Sequence, residues 1–244
     1  MPARSEVGLR VHVGASGFSY PAWKPRFYPE KLPQRRFLQY YASRLDTVEI
    51  NATFYGMPAE ETLVSWREQA GTGFVFALKA PQRITHRWRL RGESAELAGR
   101  LCELAERILG PTRGPMLFQL PPSFRRDLPR LEAFLAALPE DHRAALEFRH
   151  ESWFDDAVYA SLRARGAALC IADTPELRTP WVPTADVGYI RLRQPDYSAD
   201  ALRAWRSAIL SAPWREAYVY FKHDEGARAP ARAEAFRDQL AAAA

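Results

Sequence analysis

The sequence predicts an α/β protein built as a single-domain (β/α)8 TIM-type barrel over residues 1–244. Three observations predict it. Eight short apolar segments recur at a spacing of about 29 residues, close to one βα unit. Amphipathic stretches with helix signals fill most of the gaps between them. Within the segments, period two puts polar side chains on one parity near the C-terminal ends, as the packed interior of a barrel requires.

The strands are expected at 11–16 (VHVGAS), 47–54 (TVEINATF), 74–80 (FVFALKA), 114–120 (GPMLFQL), 143–150 (RAALEFRH), 167–173 (AALCIAD), 187–193 (VGYIRLR) and 216–224 (EAYVYFKHD). Pro33 and Pro58 precede helices predicted at 34–45 and 59–70, and proline suits the first helical turn. At 95–109, Leu97, Leu101, Leu104 and Ile108 share a face, with Ser94 as the expected N-cap and Gly110 at the exit. Asp127 is expected to cap a helix at 128–138. Ser152 and Asp155 resemble a capping box that opens the next helix, and Gly166 closes it. Helices are also predicted at 199–210 and 229–243. Pro175, Pro180 and Pro183 interrupt 174–186, so a loop replaces the helix after strand six. Strands alternating with helices imply parallel pairing through right-handed crossovers, and eight strands favour closure over an open sheet.

Bulk properties narrow the function classes. The chain has 244 residues, 47% hydrophobic, with a formal charge of +5. The pI near 9.3 admits phosphate-bearing ligands or nucleic acid as partners. No apolar run approaches the ~18 residues of a membrane helix, so no membrane partner is expected. The N-terminal MPARSEVGLR lacks the apolar core of a secretory signal, and Cys102 and Cys170 are too far apart in sequence to make a CxxC pair. A cytoplasmic location with buried thiols is the expectation.

Parity names the interior candidates. Glu49, Asn51 and Thr53 share a face of strand two, and Val75, Ala77 and Lys79 one of strand three. Gln119 lies with Leu117, Glu147 with Arg149, and Asp173 with Ile171 and Leu169. Tyr189, Arg191 and Arg193 form the set of strand seven; Tyr218, Tyr220 and Lys222 that of strand eight. Such charges either pair with one another in the barrel interior or line a functional pocket at its C-terminal mouth.

The segments GASGFSYPAWKPRFYP (14–29), VEINATFYGMP (48–58), FALKAPQRITH (76–86), FQLPPSF (118–124), EFRHESW (147–153), IAD (171–173) and YVYFKHD (218–224) carry a family resemblance. In this order they resemble the YecE-like family, domain of unknown function 72, over almost the whole chain. The resemblance implies a TIM-type barrel and no established activity. Two positions depart from the family pattern. Arg193 and Gln194 stand where relatives tend to have His-Gly, and Lys222 and His223 stand where they tend to have paired asparagines. Both departures add positive charge at the presumed mouth.

Cations dominate that mouth. The loop after strand three carries Arg83, His86, Arg87, Arg89 and Arg91 around Trp88, and arginine forks suit carboxylate and phosphate oxygens. A small anionic ligand is therefore expected. Glu49 and Glu147 are the candidate general acid/base residues, because desolvation can raise a carboxylate pKa toward neutrality; their alternative role is to pair with Lys79 and Arg149. Lys79 is a further catalytic candidate, as a Schiff-base nucleophile if desolvated beside a cation. Tyr20, Trp23, Asn51, Tyr55, His86, Gln119, Arg149, His150, Asp173, Arg191 and Lys222 are the candidate substrate-binding residues. The aromatic run Phe18, Tyr20, Trp23, Phe27 and Tyr28 either stacks a ligand ring or forms a small satellite core.

No metal site is expected, since His86, His150 and His223 fall in loops or on the wrong parity. No GxGxxG, P-loop or GxSxG motif is present, so no cofactor is expected. The leading reading is a metal-independent enzyme acting on a small anionic or phosphorylated substrate by general acid/base chemistry. A nucleic-acid binding or processing protein and a non-catalytic ligand-binding scaffold are the alternatives.

Overall fold

Parallel strands covered by helices are buried on both faces, which explains their near-continuous apolar runs. The computed structural model describes residues 8–140, 142–222 and 225–241. Its strands are β1 (Arg10–Ser16), β2 (Thr47–Ile50), β3 (Val75–Lys79), β4 (Arg113–Gln119), β5 (Ala144–Glu147), β6 (Ala168–Asp173), β7 (Val187–Leu192) and β8 (Glu216–Phe221). They pair in chain order, and β8 returns to β1 in parallel, from Arg10 beside Glu216 to Ala15 beside Phe221. The barrel is closed.

Several strands end earlier than the sequence suggests. β2 stops at Ile50, and Ala52–Phe54 turn into a short 3-10 segment. There the Thr53 hydroxyl donates to the carbonyls of Ile50 and Lys79, at 3.2 and 2.7 Å. β5 and β8 stop at Glu147 and Phe221, so Arg149, His150 and Lys222 sit on the loops just above the barrel.

The helices are α1 (Phe37–Ala42), α2 (Glu60–Ala70), α3 (Ser94–Leu109), α4 (Leu128–Ala136), α5 (Asp156–Arg165), α6 (Ala199–Leu210) and α7 (Arg228–Ala241). As expected, β6 runs to β7 without a helix. Asp127 caps α4 by accepting the Arg130 N–H at 3.2 Å. Two expected caps are corrected. Ser94 lies inside the first turn of α3, and its buried hydroxyl donates to the Arg91 carbonyl at 2.6 Å. Ser152 belongs to a separate 3-10 turn and accepts the Arg126 N–H at 2.9 Å. Asp155 caps α5 instead, 3.0 Å from the Ala157 nitrogen, because only it sits directly before the helical residues.

The apolar core has two compartments. The larger lies between barrel and helices, and the smaller fills the barrel interior. In the interior, Ala77, Ala145 and Ala168 face the large rings of Tyr189, Tyr218 and Tyr220. Small residues on β3, β5 and β6 thus leave room for tyrosines from β7 and β8, which meets the close packing that interiors require.

Candidate functional site

The interior parity of β1 ends in Ser16, of β2 in Glu49, of β3 in Lys79, of β4 in Gln119 and of β5 in Glu147, while β7 brings in Arg191. These six buried side chains form one hydrogen-bonded layer at the C-terminal end of the barrel. Arg191 is its hub. One guanidinium nitrogen lies 2.7 Å from Glu49 Oε1 and 3.3 Å from Ser16 Oγ, and the other bonds Glu147. Glu49 also accepts from Tyr189 Oη at 2.8 Å and from Ser16 Oγ, while Asn51 donates to Ser16 at 3.0 Å. Gln119 donates to Glu147 at 2.8 Å and accepts from Lys79 Nζ at 2.8 Å.

The direction of the carboxylate pKa values differs from the sequence expectation. Burial by itself raises both Glu49 and Glu147, but Arg191 wedged between them, with help from Ser16 at Glu49 and from Arg193 and Gln119 at Glu147, holds both below the ordinary value. Both are ionised at neutral pH. Lys79 moves the other way. Desolvation and the neighbouring Arg191 charge bring it down to about 8, against the weaker pull of Glu49 and Glu147. Its ammonium lies 4.2 Å from the centre of the Phe54 ring. His86 packs edge-on against the same ring at 5.0 Å. Burial and the charges of Lys79, Arg149 and Arg89 hold the imidazole below its usual pKa.

Above this layer stand half-buried cations. Arg149 Nε is 4.0 Å and Arg193 Nη1 3.8 Å from Glu147 Oε1. The Lys222 backbone nitrogen is bonded to the Leu192 carbonyl, and the charge of this lysine contributes to lowering Lys79. His150 is half-buried beside Arg149, its Nδ1 accepting the Ser152 N–H at 3.1 Å. Tyr55 is 78% exposed and meets Phe54 edge-on. In the loop after β3, Arg83, Arg87, Arg89 and Arg91 are exposed; Arg83 lies over Trp88 and Arg89 reaches Ser123.

Two expected site residues lie elsewhere. Trp23 has no exposed surface and packs among Tyr20, Phe27 and Tyr28, so it presents no face to a ligand. Half-buried Tyr20 bonds the Ser16 carbonyl through its hydroxyl at 3.2 Å. Asp173 has the outward parity of β6: Ala168 and Cys170 fill the barrel, while Leu169 and Ile171 pack under the helices. Its carboxylate bonds Gln194 and Tyr197, each at 3.1 Å, and lines a separate cavity of about 720 Å³ with Trp181, Trp205 and Ser198. Conversely, Ser16 completes the layer although the parity reading does not name it, whereas Tyr189 stands where that reading puts it. The period-two series His12, Gly14, Ser16 on β1 is the signal that marks Ser16.

Among the described residues, no group of three or more His, Cys, Asp or Glu side chains could hold a metal ion. His223 and Asp224 lie outside the described residues. No described helix is long and apolar enough to cross a membrane.

Fold and site together define a TIM barrel with a charged, buried layer at the end where barrel enzymes build their sites. The chain belongs to the DUF72 family, described as protein of unknown function DUF72, whose model matches residues 12–244. It is 31% identical to UPF0759 protein YecE of Escherichia coli over 173 residues, covering 67% of this chain and 59% of YecE. The match therefore spans about three-fifths of the length of that relative. UPF0759 protein YunF of Bacillus subtilis is 24% identical over 88% of this chain and 79% of its own. A DUF72 family crystal structure from Thermotoga maritima superposes with a TM-score of 0.84 at 28% identity, covering 95% of this chain and 99% of that one. One from Enterococcus faecalis gives 0.77 at 19% identity, covering 95% of each, a likeness of fold.

Proposed function

We propose that this protein is an enzyme that binds a small anionic substrate at the C-terminal mouth and moves protons there. One observation carries the reading. Among the described residues, Glu49 and Glu147 share Arg191 inside the barrel, and Lys79, Arg149, Arg193 and Lys222 add four further cations at its open end. The local field above the layer is positive, which favours carboxylate or phosphate oxygens. The proton-transfer role falls on Lys79 and His86 more than on the two glutamates. A group with a pKa near 8 exchanges protons under neutral conditions, whereas an ionised, doubly hydrogen-bonded carboxylate is a weak base. Glu49 and Glu147 then act as the fixed counter-charges that orient Arg191 and, through Gln119, Lys79.

Isothermal titration calorimetry with inorganic phosphate and with pyruvate tests the binding part. Saturable heat is expected for the wild type and at least a severalfold weaker response in an Arg149→Ala/Arg193→Ala double variant. An absence of saturable binding for both probes, or binding untouched by the double substitution, would end this reading.

A further inference from the structure

The chain carries thirty arginines and only four lysines, Lys24, Lys31, Lys79 and Lys222. Arginine is its ordinary means of carrying positive charge, so an amine kept inside the barrel needs a reason. Arginine cannot form an imine, because its guanidinium stays protonated.

Lys79 is 9% exposed at the C-terminal end of β3. Among the described residues its one hydrogen bond is to Gln119, and no carboxylate oxygen lies within 4.0 Å of its nitrogen. Two of its three N–H donors are thus left to the Phe54 face and the mouth. A buried ammonium with a single acceptor is poorly compensated. Glu49 and Glu147 relieve it only in part, since both are already closed on Arg191. An isostere without charge would fill the same place more stably, as is common for costly buried groups at functional positions.

We infer that Lys79 is a nucleophilic amine that forms a covalent imine with a small carbonyl compound bearing a carboxylate or phosphate group. This deepens, and rests on, the reading of the mouth as an anion site. Arg149, Arg193 and Lys222 hold the anionic group, which brings the carbonyl carbon to Nζ. The ammonium first loses a proton, for which the neutral imidazole of His86, on the same Phe54 ring, is the acceptor. The nitrogen lone pair then attacks the carbonyl carbon, the carbonyl π pair moves to oxygen, which takes up a proton, and the nitrogen, made cationic by the attack, gives one up. Loss of the hydroxyl as water, with a second proton, leaves the protonated imine. The balance is one ammonium and one carbonyl giving one iminium and one water, with no oxidant or reductant. Desolvation and the adjacent Arg191, which lower the amine to about 8, leave a useful fraction of free base near neutrality.

Reductive trapping tests this. The full-length protein is incubated with sodium cyanoborohydride and either pyruvate or glyceraldehyde 3-phosphate, and its peptides are mapped by mass spectrometry. The expected result is an adduct at Lys79 at least ~10-fold above that at Lys24 and Lys31, with one or both carbonyl compounds. The better probe tells whether carboxylate or phosphate is preferred. The adduct is expected to survive in Lys31→Arg and to vanish in Lys79→Arg, with Lys79→Met as the alternative if the arginine variant does not fold. Labelling no higher at Lys79 than at Lys24 and Lys31 overturns the inference, and that comparison needs no variant. Calorimetry on the same preparation separates the two readings: phosphate or pyruvate binding without any Lys79 adduct overturns the imine alone, while neither binding nor adduct overturns both.

Discussion

Arg191 and Glu49 form an ion pair inside the barrel, Nη2 to Oε1 at 2.7 Å, with side chains 3% and 0% exposed. The other arm of the same guanidinium closes on Glu147, 1% exposed. One cation therefore bridges two buried anions, and Arg193 and Arg149, 3.8 and 4.0 Å from Glu147 Oε1, and Lys79 near Glu49 supply the rest of the countercharge. Breaking such a set is far costlier than replacing it whole, because a lone buried charge keeps its desolvation penalty.

Substituting Arg191→Met is expected to cost about 3–5 kcal/mol, measured by urea unfolding, since it strands both glutamates. The triple variant Arg191→Met/Glu49→Gln/Glu147→Gln should recover much of that loss. A single variant as stable as the wild type would show that Arg191 does not neutralise the pair.

At the opposite end of the barrel, His12 lies between Asp46 at 3.3 Å and Glu216 at 2.9 Å. Burial disfavours its imidazolium, but the two carboxylates outweigh that and raise its pKa to about 9. A folded pKa above the unfolded value of about 6.5 gives stability that is complete below pH 6.5 and lost as the pH rises through about 9. Glu216, lowered to about 2 by His12, with Arg143 also contributing, gives stability present above about 4.5 and lost as the pH falls through 2. His12→Gln should therefore flatten thermal stability between pH 6.5 and 9, removing about 3 kcal/mol of pH dependence that the pair shares. An unchanged slope over that window in thermal melts would show the histidine to be neutral.

Among the described residues, Gln119 is the single hydrogen-bond acceptor of Lys79, and it donates to Glu147. Removing an acceptor from a charged amine disfavours its protonated form. Gln119→Leu is expected to move the midpoint of Lys79 acylation below pH 8, read by competitive labelling across pH. It should also cost about 1–3 kcal/mol for the donor lost to Glu147. A midpoint that stays or rises would mean that Gln119 does not set the amine.

Helix α5 offers a local test. Asp155→Ala should cost about 1 kcal/mol and Ser152→Ala less, because only Asp155 caps the helix by accepting the Ala157 N–H. Equal losses in thermal melts would restore Ser152 as the cap.

How far these features could be read from the chain depends on their range. Caps and loop residues close to their elements, such as Asp127, Gly166 and the prolines of 174–186, follow from local rules. Inward parity was legible on β2, β3, β4, β5, β7 and β8, where one series is polar or small and the other is bulky. It failed on β6, because Ala168 and Cys170 are as apolar as Leu169 and Ile171 and both faces of a parallel strand are buried. Period two alone therefore assigns Asp173 to the wrong face.

By itself, the sequence determined the barrel: the spacing of eight apolar runs and the helices between them leave few other ways to bury so much surface. It also determined which residue types line the interior. Only the tertiary structure decided their charge states. Arg191 lies 142 residues from Glu49 and 44 from Glu147, and closing the barrel inserts it between them. That contact turns the effect of burial around, fixing both carboxylates as anions, while the same desolvation and the same guanidinium bring Lys79 toward the free amine. A pKa is set by what lies within a few ångströms, and those neighbours come from strands that are distant in sequence.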